Sequence, residues 1–194
     1  MNYAEVDPDV RMMLAFQEGD ETAFEALYRN HRLPVYRFCY RILRRQDQAE
    51  EAAQEVFVRV YRSRERYRPT ARFKTWLYRM ATNLCLNETR RASFTKEVAG
   101  MEGPEPQASE NRGPLRLIQA QELAEAIEIA LDKLPERQRV AVVLARYQGC
   151  TLAEISAVLD LSVGGVKALL HRARDTLRSE LQPYLPDKQG KEAG

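Results

Sequence analysis

The chain has 194 residues, 44% of them hydrophobic and 30% charged, and a formal net charge of +2. This suits one or two domains with a buried core and a soluble surface, and such a small net charge does not by itself announce a nucleic-acid partner. Its three cysteines are far apart, with no CxxC pair and no clustered His, which argues against a disulfide framework or a zinc site. With no signal-peptide pattern and no bilayer-length apolar run, the expected location is cytoplasmic.

In chain order, residues 1–8 are expected to fray. Val10 to Gln17 can form a short helix ended by Gly19, and Asp20 can cap the next one. Phe24, Leu27 and Tyr28, then Val35, Phe38, Cys39 and Ile42, recur at helical spacing, with His31 on the helix surface. Pro34 inside this stretch is expected to kink or divide it. Asp47 opens a helix with Glu50 three residues later and a buried stripe of Ala52, Ala53, Val56, Phe57 and Val60. Asp47, Glu50, Glu51 and Glu55 make this segment acidic, whereas Arg59 to Arg91 is heavily basic. Separated faces of opposite sign suit two partners of opposite charge.

Arg62 to Arg72 reads as a basic loop holding Tyr67 and Pro69. Phe73 begins another helix, whose core side carries Leu77, Met80, Ala81 and Leu84 and whose other side carries Trp76, Arg79, Asn83 and Arg90. An exposed aromatic beside Arg and Asn suits stacking on unpaired bases, although a lone Trp in a helix can equally be core. From Ala99 to Pro114 Gly and Pro cluster among polar residues, the composition of a flexible linker.

Helix resumes by Leu117, with Leu123, Ile127, Ala130, Leu131 and Leu134 on one side, and Pro135 suits the first turn of the following helix, which stops at Gly149. Thr151 and Glu154 form a capping box for a short helix. A turn at Leu159-Asp160-Leu161 leads to Ser162, the N-cap of a longer helix whose polar side carries Lys167, His171, Arg172, Arg174 and Arg178. Two helices, a tight turn and a basic second helix make a helix-turn-helix able to enter a major groove. After Pro183 and Pro186 the tail is polar and expected to be disordered. The expected fold is therefore all-α, with two helical domains joined by a flexible linker, the second containing the helix-turn-helix.

Four blocks, GDETAFEALYRNHRLPVYRFCYRIL, DQAEEAAQEVFVRVYR, FKTWLYRMATNLCLNETRR and LPERQRVAVVLARYQGCTLAEISAVLDLSVGGVKALLHRAR, in this order and spacing, resemble the extracytoplasmic-function (ECF) sigma factors of bacterial RNA polymerase. The resemblance runs from about Leu14 to about Leu181. It implies a region 2-like domain over 9–96 for core polymerase and the −10 element, a linker over 97–116, a region 4-like domain over 117–182 for the −35 element, and a tail over 183–194.

Residue by residue, the resemblance implies that Asp47, Glu51, Gln54 and Glu55 contact core polymerase. It implies that Trp76, Arg79, Asn83, Arg90 and Arg91 act at the −10 element and in melting, with Asn83 near the captured base. Ser162, Lys167, His171, Arg172 and Arg174 then serve the −35 element. The partners implied are core RNA polymerase, promoter DNA and an anti-sigma factor, with no cofactor and no membrane insertion.

This chain departs from the family pattern in two places. Ala168 and Leu169 stand where many members have Ser-Arg, which removes one Arg contact. Asp160 stands where Gly is frequent in the turn, and Asp tolerates the left-handed conformation. Gly164 and Gly165 lower helix propensity by roughly 1 kcal/mol each against Ala but permit close approach to DNA.

The alternative reading is a helix-turn-helix regulator that never enters the polymerase. An enzyme is not expected, since no P-loop, metal cluster or nucleophile-base pair is present in the sequence.

Overall fold

The computed structural model describes residues 3–99 and 115–184, with side chains over 3–92 and 122–184. The described residues form helices and no strands: α1 (Tyr3–Val6), α2 (Pro8–Gln17), α3 (Glu21–Leu43), α4 (Gln46–Arg62), α5 (Phe73–Ala99), α6 (Leu115–Asp132), α7 (Glu136–Arg146), α8 (Leu152–Leu159) and α9 (Val163–Leu181). Short 3-10 turns occupy Arg64–Arg66 and Gln182–Tyr184.

The helix boundaries follow local chemistry. Asp7 caps α2 through Asp9 N–H, and its other carboxylate oxygen accepts from Phe73 N–H at 2.9 Å, so the chain start is tied to α5. The expected fraying of residues 1–8 is thereby corrected over Tyr3 to Pro8, where α1 and this cap hold the chain. Gly19, at φ 110, turns the backbone into the Asp20 cap, whose carboxylate accepts from Thr22 and Ala23 N–H. Those bonds, the Thr22 hydroxyl first among them, hold the Asp20 carboxyl below its ordinary value.

Pro34 does not divide α3, which runs unbroken from Glu21 to Leu43. Proline removes one backbone donor, but Asn30, whose carbonyl loses that partner, is exposed and can be hydrated. Buried Leu27, Val35 and Phe38 on either side keep one continuous face on the core. α4 starts at Gln46, one residue before Asp47, because Arg45 occupies the N-cap position. Pro135 likewise sits at the N-cap of α7 and not in its first turn.

α2, α3, α4 and α5 pack around Met13, Phe16, Leu27, Phe38, Val56 and Leu77. α7, α8 and α9 pack through Val140, Leu144, Ile155 and Val166, and these belong to the same continuous apolar cluster as the N-terminal helices. A smaller cluster of Leu131, Leu134, Val142 and Ala173 seats α6 on α9. Leu123 is 38% exposed and lies outside both, which corrects its expected place in the core. The expected linker overlaps α5 at 97–99 and α6 at 115–116; its residues 100–114 lie outside the described residues, as do 185–194 of the expected tail.

Candidate nucleic-acid interface

The first face lies on α4. At 3.6 residues per turn Asp47, Glu51, Gln54 and Glu55 share one stripe, opposite buried Ala49, Ala53, Val56 and Val60. Asp47, Glu51 and Gln54 are exposed and Glu55 is half-buried. Arg45 Nη2 bonds Asp47 at 2.7 Å and, with the neighbouring backbone, holds that carboxyl below its ordinary value. Arg59 pairs with Glu55 at 2.7 Å one turn along. The stripe is thus a shallow acidic surface that solvent and a basic partner can both reach. Beside it, and sharing Gln54 with it, an open groove of about 320 Å³ between α3 and α4 is lined by Tyr28, Arg32, Leu33, Tyr36, Glu50, Ala53, Gln54 and Phe57.

The second face runs along α5. Arg79, Asn83 and Arg90 are exposed on one stripe, while Leu77, Ala81, Leu84 and Cys85 bury the opposite side. Arg91 is exposed on the flank and pairs with Glu88 at 2.9 Å. Trp76 lies on the same stripe but is half-buried, its ring 4.9 Å from that of Tyr67 and 5.7 Å from that of Phe73. It therefore buttresses the 67–73 loop rather than standing free. Tyr67 is 3% exposed, and burial pushes its phenol up to about 12. The sequence placed Tyr67 in a basic loop; its burial comes from α2 and Trp76, with Gln17 Nε2 also donating to the carbonyls of Arg64 and Glu65.

The third face is the helix-turn-helix. Thr151 and Glu154 complete the expected capping box, Asp160 takes the left-handed conformation at φ 53, and the Ser162 hydroxyl accepts from Gly165 N–H at 3.1 Å. Val166 and Ala173 turn α9 inward. Lys167, His171, Arg172 and Arg174 are all exposed, but they do not form one stripe. Lys167, Arg174 and Arg178 share one flank, Arg172 stands on the other, and the centre holds Gly164, Ala168, His171 and Asp175.

Asp175 was missed by the sequence reading. Its carboxylate lies 2.9 Å from His171 Nδ1, a pairing that the i,i+4 spacing alone could have flagged. An acidic group in the middle of a basic helix face repels phosphate and can accept from a base amino group. The other histidine, His31, is not a surface group. It lies 2.8 Å from Asp9 and against the Phe73 ring, with its side chain 14% exposed.

Comparison with known proteins gives these faces a family. The Sigma-70 region 2 family model matches residues 27–95, and the Sigma-70 region 4 model matches residues 124–177. The ECF RNA polymerase sigma factor SigW of Bacillus subtilis (strain 168) is 34% identical over 173 residues, covering 86% of this chain and 92% of the relative. The chain belongs to the ECF sigma factors of RNA polymerase.

As a sigma factor it acts in promoter-specific transcription initiation with core polymerase, and a free-standing helix-turn-helix regulator is set aside. The fold agrees with those of CnrH, solved in complex with the cytosolic domain of CnrY (TM-score 0.69, 24% identity, 91% of this chain and 99% of that one). It also agrees with the sigma factor RpoE of Bartonella quintana, solved with the anti-sigma factor NepR (TM-score 0.68, 20% identity, 82% and 96%). None of the described helices of this sigma factor is long and apolar enough to cross a membrane.

Proposed function

We propose that the three faces divide the work of initiation, with a region 2-like unit over 9–96 and a region 4-like unit over 117–182. The α4 stripe of Asp47, Glu51, Gln54 and Glu55 docks on a basic surface of core polymerase. On α5, Asn83 and Arg79 capture the open −10 strand while Arg90 and Arg91 hold phosphate. Trp76 acts from behind, holding the loop that shapes the pocket. Opening DNA costs a few kcal/mol per flipped base. Stacking and hydrogen bonds available only to the open strand offset this, at about 1–3 kcal/mol per stacked base.

On α9, His171 faces the −35 groove. Lys167 and Arg174 on one flank and Arg172 on the other straddle it, and the helix N-terminus at Ser162 meets phosphate. The protein works in the cytoplasm, catalyses no reaction of its own, and is held when idle by an anti-sigma factor on the faces polymerase uses. The observation that carries this reading is the exposure of three separately charged faces in the family's order along the chain.

The test is reconstitution. Purified protein with core RNA polymerase should co-elute and initiate from a subset of a promoter library. Reversing Glu51 and Glu55 to Lys should abolish both while leaving the helical circular dichroism unchanged. Core binding and initiation that persist in the reversed variant would remove α4 from the docking surface.

A further inference from the structure

α2 grips the 67–73 loop at both ends. At the start of α2, one Asp7 carboxylate oxygen accepts from Asp9 N–H at 3.0 Å and the other from Phe73 N–H at 2.9 Å. At its far end, Gln17 Nε2 donates to the carbonyls of Arg64 at 2.9 Å, Glu65 at 3.1 Å and Tyr67 at 3.4 Å. The ten residues between these grips form a helical rod about 15 Å long, which sets the separation of the two loop ends.

Asp7 supplies what α5 lacks in its own sequence. Arg72 precedes the helix, and its first turn carries no acidic residue. A helix start leaves N–H donors unmatched and a partial positive charge. Asp7 brings both an acceptor and a negative charge to that point from another helix.

A second layer backs this bond. Asp9 lies 2.8 Å from His31 Nε2, and the imidazole packs 5.4 Å from the Phe73 ring. Phe73 also meets Trp76, which in turn meets Tyr67. The Tyr67 hydroxyl is buried without a hydrogen-bond partner, which is costly, so the loop keeps its place through its neighbours and not through a bond from that side chain. Between the anchors, Arg68, Thr70 and Arg72 stay exposed. The loop thus has fixed ends and a solvent-facing middle.

Fixed ends matter for opening DNA. The cost of unpairing a base and the gain from capturing it are of similar size, so a modest loss of capture is felt as a loss of opening. A loop ordered before DNA arrives gives up less conformational freedom on binding. We propose that Asp7 and Gln17 are positioning residues for promoter opening, which hold the 67–73 loop in the shape that captures the open strand. This rests on the strand-opening role proposed above for α5. Neither residue belongs to the α4 stripe, so docking on polymerase does not depend on them.

Two full-length variants test the grip. Asp7→Asn keeps one side-chain oxygen to cap α2 but cannot also accept from Phe73 N–H. Gln17→Ala removes the donor at the other end and leaves the Asp7 cap intact. Hydrogen–deuterium exchange over 67–73 should be faster in both free variants, and both should co-elute with core polymerase as the wild type does. On a duplex promoter that the wild type uses, initiation should fall at least fivefold. On the same promoter with a mismatched, pre-opened −10 segment, where no unpairing is needed, it should stay within twofold of the wild type.

Wild-type initiation from the duplex promoter by either variant would overturn the two-ended grip. An equal loss on both templates would overturn it too, because a general defect of folding does not distinguish them. Unchanged exchange over 67–73 would show that α2 does not hold the loop. Failure of the wild type itself to bind core or to initiate would instead sink the assignment of α4 and α5.

Discussion

The Tyr78 hydroxyl donates a 2.5 Å hydrogen bond to Oε1 of Gln148, joining α5 to the loop that leads into the helix-turn-helix. Tyr78 is 1% exposed, and burial pushes its phenol well above the ordinary tyrosine value. The hydroxyl is therefore a donor across the working pH range. Tyr78→Phe should lower stability by about 1 kcal/mol, because the half-buried Gln148 acceptor loses its partner. Urea denaturation would measure it, and a loss below about 0.3 kcal/mol would mean that water replaces the bond.

Alkaline pH should weaken the same region. Cys150 is 8% exposed, and burial pushes its thiol from 9.0 up to about 11. Between these values the folded chain keeps a proton that the unfolded chain has lost. The stabilising contribution is complete below pH 9 and falls as pH rises towards 11, by at most about 1.4 kcal/mol per pH unit. Tyr67, raised from 10.0 to about 12, adds a fall of the same sign at higher pH. Denaturation midpoints at pH 8 to 11 should fall less steeply for Cys150→Ala than for wild type; equal slopes would refute the assignment.

Trp76 and Asn83 should separate stability from strand opening. Trp76→Ala removes the ring packed on Tyr67 and Phe73 and should cost about 2–3 kcal/mol in thermal unfolding. Asn83 is exposed, so Asn83→Ala should leave unfolding unchanged. It should instead reduce permanganate-reactive thymines in the open complex several-fold. Normal melting by the Asn83 variant would move strand capture elsewhere on α5.

The charges on α9 predict opposite salt effects. Lys167→Ala should reduce the slope of log affinity against log salt for a −35 duplex by about 1. Asp175→Asn removes a carboxylate from the centre of the face beside His171, and should raise affinity for unrelated duplexes by several-fold at low salt. Fluorescence anisotropy across a salt series measures both. A drop in non-specific affinity for the Asp175 variant would show that the carboxylate orders His171 more than it repels DNA.

Much of the helix-turn-helix was legible in the chain because its determinants are local. The Thr151–Glu154 box, the Ser162 cap and the Asp160 turn each involve residues within a few positions of one another. The acidic α4 stripe was legible for the same reason, since period and charge alone define it. Which polar residues of α9 share a flank also follows from 3.6 residues per turn, although its basic residues suggested a single face until the buried side was known.

The sequence by itself determined the all-helical elements, most of their caps, the order of the charged faces and the ECF family. Tertiary structure decided whether Pro34 breaks α3, that Trp76 leans on a buried Tyr67, that His31 meets Asp9, and that Arg44 closes on Glu128. A capping bond or an amphipathic stripe is fixed by neighbours along the chain. These other outcomes depend on groups brought together from distant helices, such as Arg44 and Glu128 at a sequence separation of 84, and on which surfaces lose water when they meet.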